Sequence, residues 1–257
     1  MLRSQIAVQL WSVNDHVKDS AALTATVKKL KTIGYAAVEV FGFAIPEEEV
    51  VTICKGEGMT ICSSHENSGN IINDTQKVID RCGRLGITYA GYPFPHTLPQ
   101  NEDEAVRFVA ALDKAGEKLR AAGITLCYHN HAHEFRKYGG CTLFERIFAD
   151  SDPRNVQGEP DVFWVAAGGH SPVDWCNRLY GRLPLIHLKE YRINDKFERE
   201  TAEIGSGTLD WPAIVSAADR SGCKWFIVEQ EQFTNIPDKF AALAASYNYL
   251  TSTVAIR

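Results

Sequence analysis

The sequence has no paired cysteines. Its seven cysteines are an odd number, and no two stand at the CxxC spacing of a zinc knuckle or a redox pair. They are Cys54, Cys62, Cys82, Cys127, Cys141, Cys176 and Cys223. We therefore expect reduced thiols in or near a hydrophobic core, where unpaired cysteine behaves as a small apolar residue.

Long basic runs and long apolar runs are also missing. The chain has 27 lysines and arginines against 32 aspartates and glutamates, and no basic run that could replace the counterions of a nucleic-acid backbone. No apolar run approaches the roughly 20 residues needed to cross a bilayer. The chain enters an apolar strand by Ile6 without a basic leader and cleavage site. We therefore expect a cytoplasmic protein with neither nucleic-acid nor membrane partners.

Glycine-rich phosphate loops are absent, because neither GxGxxG nor GxxxxGK(S/T) occurs. This absence disfavours a doubly wound nucleotide-binding sheet. No linker, low-complexity segment or charge block marks a second domain. We expect one domain over residues 1–257.

The chain instead alternates short apolar runs with longer amphipathic stretches. The predicted strands are 6–12, 37–42, 60–65, 87–93, 124–131, 156–164, 184–189 and 225–231. The predicted helices are 20–33, 46–57, 71–85, 102–122, 141–149, 172–180, 211–221 and 237–250. Gly34, Gly86, Gly123 and Gly222 follow helices as left-handed caps would. Eight β-α units in a chain of this length predict an α/β fold, a (β/α)8 TIM barrel.

Polar side chains stand at the end of nearly every predicted strand. In this type of barrel the active site forms at the carboxyl ends of the strands. The strand-end residues are Gln9, Trp11, Glu39, His65, Glu66, His129, Asn130, His131, Asp161, His187, Lys189, Glu229 and Glu231. Burying so many ionisable groups is costly unless they are paired or bind a metal.

The alternation of side chains along a strand selects those that face the barrel axis. It places His129, His187 and Glu229 on inward faces, and Asp161 completes a convergent set from four strand ends. Two imidazoles and two carboxylates suit one divalent cation. Imidazole ligands favour manganese, zinc or cobalt, with iron(II) as a further option, over magnesium and calcium.

Five segments together resemble the sugar phosphate isomerase/epimerase superfamily, the xylose isomerase-like TIM barrels, in a YHNH-type form. The segments are YHNHAHEF (128–135), EPDVFWVAAGG (159–169), IHLKE (186–190), EIGSGTLDW (203–211) and WFIVEQEQF (225–233). The resemblance covers essentially the whole chain. It implies an isomerase or epimerase that uses a metal and a small sugar or keto-sugar, in carbohydrate metabolism.

The resemblance also implies metal ligands after strands five to eight. Asp161, His187 and Glu229 match the last three, but His129 stands where the superfamily has a glutamate. His131 and Glu134 are nearby alternatives for that ligand. Epimerases of this type resemble one another in using two metal-bound glutamates, so the missing one puts symmetric epimerisation in doubt.

A single strong base with an acid suits an isomerase, a dehydratase, or a keto-glycoside lyase or hydrolase. We expect Glu229 to act with His65, His129 or Lys189. YHNH-type members look most like enzymes described for 3-keto-glycosides and related sugars.

Other polar and aromatic groups are candidates for holding the sugar. They are Trp11, Glu39, Tyr92, His131, Glu134, Trp164 and Glu231. Gly205 and Gly207 indicate a turn whose backbone N–H groups either meet a ligand or simply precede a helix.

Two rival functions follow from the same residues. One is a non-catalytic sugar-binding barrel, which the inward pair Asp161 and Glu229 disfavours. The other is a nuclease, which the acidic balance disfavours because a basic groove is missing. Periodicity identifies no dimerising edge, and a homodimer remains open.

Overall fold

The computed structural model describes residues 1–231 and 238–254. Eight parallel strands in this part form one sheet in the order β6-β5-β4-β3-β2-β1-β8-β7. They are β1 (Ile6–Gln9), β2 (Ala37–Val40), β3 (Thr60–His65), β4 (Tyr89–Tyr92), β5 (Thr125–His129), β6 (Val156–Glu159), β7 (Leu185–Leu188) and β8 (Trp225–Val228). The predicted (β/α)8 barrel is confirmed; β3 has its predicted bounds and the other seven strands are shorter than predicted.

Helices follow the strands and cover the outside of the sheet. They are α1 (Ser20–Ile33), α2 (Glu47–Gly56), α3 (Ser68–Asn73), α4 (Thr75–Leu85), α5 (Glu102–Ala121), α6 (Leu143–Asp150), α7 (Val162–Ala167), α8 (Pro172–Arg178), α9 (Trp211–Arg220) and α10 (Lys239–Ser252). The predicted helix 71–85 is two helices, because the backbone leaves the helical region at Asp74. No helix of the described residues is long and apolar enough to cross a membrane.

The barrel interior has an apolar layer with a polar layer above it. The apolar layer consists of Ala7, Ala37, Cys62, Cys127, Leu185 and Ile227. Two residues further along five of these strands, the same inward face carries Gln9, Glu39, His129, His187 and Glu229. The described cysteines are all free, as expected, and burial raises the pKa of the Cys127 thiol well above its usual range. The apolar layer closes the floor of the barrel, and the polar layer forms the base of its mouth.

The barrel closes between β6 and β7 through residues at its mouth. An isolated parallel bridge joins Asp161 to His187, and the His187 backbone N–H donates to the Pro160 carbonyl at 3.0 Å. The predicted strand 156–164 is therefore wrong beyond Glu159, since residues 162–167 form α7. Closure brings two candidate metal ligands side by side.

An antiparallel hairpin that was not predicted follows β7, pairing Glu190–Ile193 with Arg199–Ala202. The Glu190 carboxylate is buried at its base and accepts hydrogen bonds from the Trp211 indole at 2.5 Å and from backbone N–H groups of residues 191, 205, 208 and 209. A Cβ on Gly207 would lie 2.1 Å from the Tyr191 carbonyl oxygen. The N–H groups of this turn thus bind a carboxylate of the protein itself, and the tight-turn interpretation is the one the structure supports.

Candidate metal centre

A cleft of about 530 Å³ opens at the carboxyl ends of the strands. Candidate residues on its wall are Trp11, His65, His129, His131, Glu229 and Glu231. They follow β1, β3, β5 and β8, so the wall is assembled from segments far apart in sequence. The polar layer of the barrel lies at the base of this cleft.

Four buried side chains at the base of the cleft point their donor atoms at one another. One ligand atom each from His129, Asp161, His187 and Glu229 lies within 4.8 Å of the other three. The ionised carboxylates of Asp161 and Glu229 repel each other at this separation when they are removed from water. The arrangement matches the donor set that a divalent cation would hold together.

Two of these atoms are buried without a hydrogen-bond partner among the described residues: Nδ1 of His129 and Oδ2 of Asp161. Burial lowers the pKa of His129 well below its usual range, so its imidazole is neutral and its lone pair is available. Burial raises the pKa of Asp161 to about 7 against the opposing charge of Lys189. A bound cation would supply the missing partner of both groups, so the residues present fit a metal.

Asp161 is held in place by the two segments beside it. Its backbone N–H donates to Oδ1 of Asn130 at 3.1 Å, and its Oδ1 accepts from the backbone N–H of Trp164 at 3.2 Å. The second contact makes Asp161 the N-cap of α7. One oxygen of the carboxylate therefore caps the helix, and the other remains for a cation. The group of four candidate ligands, His129, Asp161, His187 and Glu229, is called the metal cluster below.

His187 is oriented by a carboxylate beneath the cluster. Its Nδ1 lies 2.9 Å from Glu229 Oε2, and its Nε2 lies 2.7 Å from Glu39 Oε2. Gln9 and Ser63 each donate a hydrogen bond of 2.6 Å to Glu39. Glu39, which the sequence predicts to hold the sugar, is completely buried and is not among the described residues that line the cleft. Glu39 therefore lies where a carboxylate would orient the ring of a metal-binding histidine and decide which ring nitrogen carries the proton.

Glu39→Gln is expected to lower the affinity for Mn²⁺ about 10-fold to 100-fold, because the amide no longer holds His187 with Nδ1 towards the metal. Equilibrium dialysis with Mn²⁺ measures the change. Glu190→Gln is the matched control, since Glu190 is equally buried but binds a loop outside the cluster. Equal affinities of the Glu39→Gln variant and the parent protein would show that Glu39 has no orienting role.

Glu159 belongs to the same polar layer, although it was not selected from the sequence. It is fully buried two residues before Asp161, and its carboxylate lies 3.4 Å from His187 and 3.7 Å from His65. A Cβ on Gly91 would lie 2.7 Å from the His65 ring and 2.8 Å from the Glu159 carboxylate, so only glycine leaves room for this pair. The i, i+2 spacing to Asp161 was the signal that could have identified Glu159.

Lys189 lies between the metal cluster and the rim. Its Nζ is 2.9 Å from Glu231, 3.7 Å from Glu229 and 3.8 Å from Asp161. Burial lowers the pKa of Lys189, but these three carboxylates outweigh burial and raise it above its usual value. The ammonium therefore keeps its proton, and Lys189 fits the role of a fixed positive charge better than that of an acid or base.

Two further residues predicted to hold the sugar, His131 and Tyr92, have different surroundings. His131 lines the cleft and packs its ring 5.4 Å from that of the half-buried Trp164. Tyr92 is buried against Tyr128 and Phe108 in the helix layer, and does not reach the cleft.

Glu134, which the sequence predicts to hold the sugar or the metal, is not among the described residues that line the cleft. It is completely buried, and it accepts hydrogen bonds from the Tyr128 hydroxyl at 3.0 Å and from the His131 backbone N–H at 2.8 Å. Its carboxylate shapes the loop after β5 and is not directed at a ligand. Of the two histidines left as alternatives, His129 supplies its ligand atom to the cluster at the base of the cleft, whereas His131 lines the wall above.

Comparisons with known proteins agree with this architecture. The model of the family "Xylose isomerase-like TIM barrel" matches residues 27–251. An inosose dehydratase of Lacticaseibacillus casei is 27% identical over 172 aligned positions, and the match covers 60% of this chain and 56% of that protein. The match thus spans little more than half the length of the curated relative.

Solved structures share the fold at low identity. A sugar phosphate isomerase/epimerase from Parabacteroides distasonis is 24% identical, with a TM-score of 0.83 over 96% of this chain and 93% of the other. A xylose isomerase-like TIM barrel protein from Mycobacterium smegmatis, solved in complex with magnesium, is 16% identical, with a TM-score of 0.69 over 98% of each chain. At these identities the likeness establishes the fold, and the reaction has to be argued from the side chains.

Proposed function

The chain belongs to the xylose isomerase-like TIM barrel family, and on this premise we propose that it is a metal-dependent enzyme that removes a proton next to the carbonyl of a small keto-sugar. The observation that carries the proposal is the convergence of His129, Asp161, His187 and Glu229 at the base of an open cleft. A cation held there would polarise the substrate carbonyl and so acidify the neighbouring C–H bond.

Glu229 is the base in this proposal. Burial alone would raise the pKa of Glu229, but Lys189 and His187 outweigh burial and hold it at about 2. The carboxylate is therefore ionised at neutral pH, and it lines the cleft. The low pKa supports only the ionised form; the position of the carboxylate next to a polarised carbonyl is what would let it accept a proton from carbon.

His65 is the acid in this proposal. Its ring lines the cleft, and its Nε2 faces Glu39 at 3.3 Å. Burial lowers the pKa of His65, but the charges of Glu39 and Glu159 outweigh burial and raise it. These charges favour the protonated imidazole, the form that donates a proton to an oxygen of the substrate in this proposal.

Histidine in place of a carboxylate at position 129 favours elimination or isomerisation over epimerisation with two carboxylate bases. In elimination, Glu229 takes the proton, the C–H electron pair forms the new double bond, and the bond to the β-oxygen breaks. His65 protonates the departing oxygen. The inosose dehydratase relatives support this class, as that name denotes loss of water from an inosose. A keto-glycoside lyase would release an alcohol by the same steps.

Proton exchange in deuterated water tests the proposal. Manganese-loaded protein is incubated with 3-keto-glycosides, ketohexoses and inososes, and deuterium at the carbon beside the carbonyl is measured by mass spectrometry. We expect uptake with at least one of these substrates and none after chelation of the metal. Product analysis then distinguishes elimination from isomerisation. A loaded protein that binds these sugars without any exchange would instead be a non-catalytic sugar-binding barrel.

A further inference from the structure

No lysine or arginine lines the cleft wall within the described part of the chain. Apart from the imidazole of His65, the charged side chains on this wall are the carboxylates of Glu66, Glu229 and Glu231. Residues 232–237, outside the described residues, have the sequence QFTNIP and contain neither lysine nor arginine. A phosphate group on the substrate would therefore meet carboxylates on this wall and neither of the side chains that usually bind phosphate.

Two cations beside this wall are already paired with its carboxylates. Lys189 contacts Asp161, Glu229 and Glu231. The Arg81 guanidinium, behind the wall, forms ion pairs with Glu47 and Glu66. Backbone N–H groups are the other usual phosphate ligands, but those of the turn at residues 205–209 donate to Glu190. Binding of a phosphate would thus require breaking existing ion pairs or hydrogen bonds.

Two exposed aromatic rings stand at the cleft entrance instead. Trp11 is 48% exposed and Phe94 is 47% exposed, and both line the cleft. They follow β1 and β4, which are separated by β2 and β3, so the rings stand on different sides of the mouth. Trp11 is held edge-on against Phe41 with ring centroids 5.2 Å apart, and Phe94 packs 4.7 Å from the His133 ring. Large apolar groups held open to solvent at a site mark a surface that a ligand covers.

The polar groups near these rings are mostly engaged by the protein. Gln9 donates to Glu39 and accepts from the Trp11 backbone N–H, and Asn67 Oδ1 accepts from the Asn70 backbone N–H. Glu231 is paired with Lys189. Nδ1 of His131, beside Phe94, is buried without a hydrogen-bond partner among the described residues, whereas an aromatic group needs no such partner.

From this wall we infer that the substrate is an uncharged glycoside whose aromatic aglycone packs between Trp11 and Phe94, and that phosphorylated sugars are excluded. The inference rests on the proposed function for the sugar ring, which would lie over the metal cluster. It adds the chemical class of the leaving group, which in an elimination departs as the protonated aryl alcohol.

Calorimetric titration of the manganese-loaded protein tests the inference without turnover. The probes are 4-nitrophenyl β-glucoside, methyl β-glucoside, cellobiose and glucose 6-phosphate. We expect the aryl glycoside to bind about tenfold more tightly than methyl glucoside or cellobiose, and glucose 6-phosphate to bind more weakly than methyl glucoside. Trp11→Ala and Phe94→Ala should each remove most of the aryl preference, because each should weaken binding of the aryl glycoside far more than binding of methyl glucoside. Tyr180→Ala is the matched control, since Tyr180 is 75% exposed after α8, at the opposite end of the barrel.

Equal binding of the aryl and methyl glycosides, a preference for cellobiose or the phosphate, or an aryl preference that survives both substitutions would overturn the inference. Failure of the proposed function has a different signature. An aryl preference that depends on Trp11, in a protein that exchanges no substrate proton, would refute proton abstraction and leave the binding preference intact.

Discussion

Glu229→Gln is expected to lower metal-dependent deuterium uptake about a thousandfold or more. The amide cannot accept the proton, and general-base catalysis by a positioned carboxylate contributes roughly 10²-fold to 10⁴-fold. Glutamine has nearly the same shape as glutamate, so the barrel should fold as before. The measurement is the rate of uptake at saturating Mn²⁺, with circular dichroism as the check on folding.

The matched control for this substitution is Glu117→Gln, which removes one carboxylate from the exposed face of α5. It should leave uptake unchanged, which separates the loss of a base from a change in net charge. Because Glu229 is also a proposed ligand, bound manganese is counted in both variants. A Glu229→Gln protein that holds its metal and exchanges protons at the parent rate would remove Glu229 from the role of base.

Asp161→Asn is expected to weaken Mn²⁺ binding at least about 100-fold while leaving the fold unchanged. The two oxygens of Asp161 have different surroundings: Oδ1 caps α7, and Oδ2 is buried without a hydrogen-bond partner among the described residues, 3.8 Å from Lys189 Nζ. Asparagine caps a helix as well as aspartate does, whereas its neutral side chain is a poor ligand. Calorimetric titration with Mn²⁺ measures the affinity, and urea unfolding measures the stability.

Asp210→Asn provides the matched comparison, because Asp210 caps α9 through the Ala213 backbone N–H in the same manner but is exposed outside the cluster. Its substitution should change neither metal affinity nor stability by a measurable amount. If the two variants bind Mn²⁺ equally well, Asp161 is an N-cap only and the metal centre has to be sought elsewhere.

Most of the barrel could be predicted because its signals are local. Each strand is a short apolar run, each long helix has an amphipathic period, and both patterns are visible in neighbouring residues. The errors occur where a local pattern is ambiguous. Residues 162–164 continue an apolar run and look like strand, but the side chain of Asp161 caps a helix at that point.

The polar layer could be predicted only in part. Strand alternation placed His129, His187 and Glu229 inward, and the structure brings them together with Asp161. Alternation alone does not show how deep a side chain lies within the barrel. Glu39 was therefore predicted to contact the substrate, whereas its carboxylate contacts His187. Tyr92 and Glu134 were selected by position near a strand end, but their contacts lie in the helix layer and in a loop.

The sequence by itself determined the fold class, the inward faces of the strands and the donor types of the cluster, because these depend on periodicity and side-chain chemistry over a few residues. Only the tertiary structure decided which groups share a cleft, which carboxylates lie beneath it, and that Lys189 is surrounded by three carboxylates. Those relations join residues on different strands. They arise when the sheet closes and sets the depth of each side chain, which no local pattern encodes.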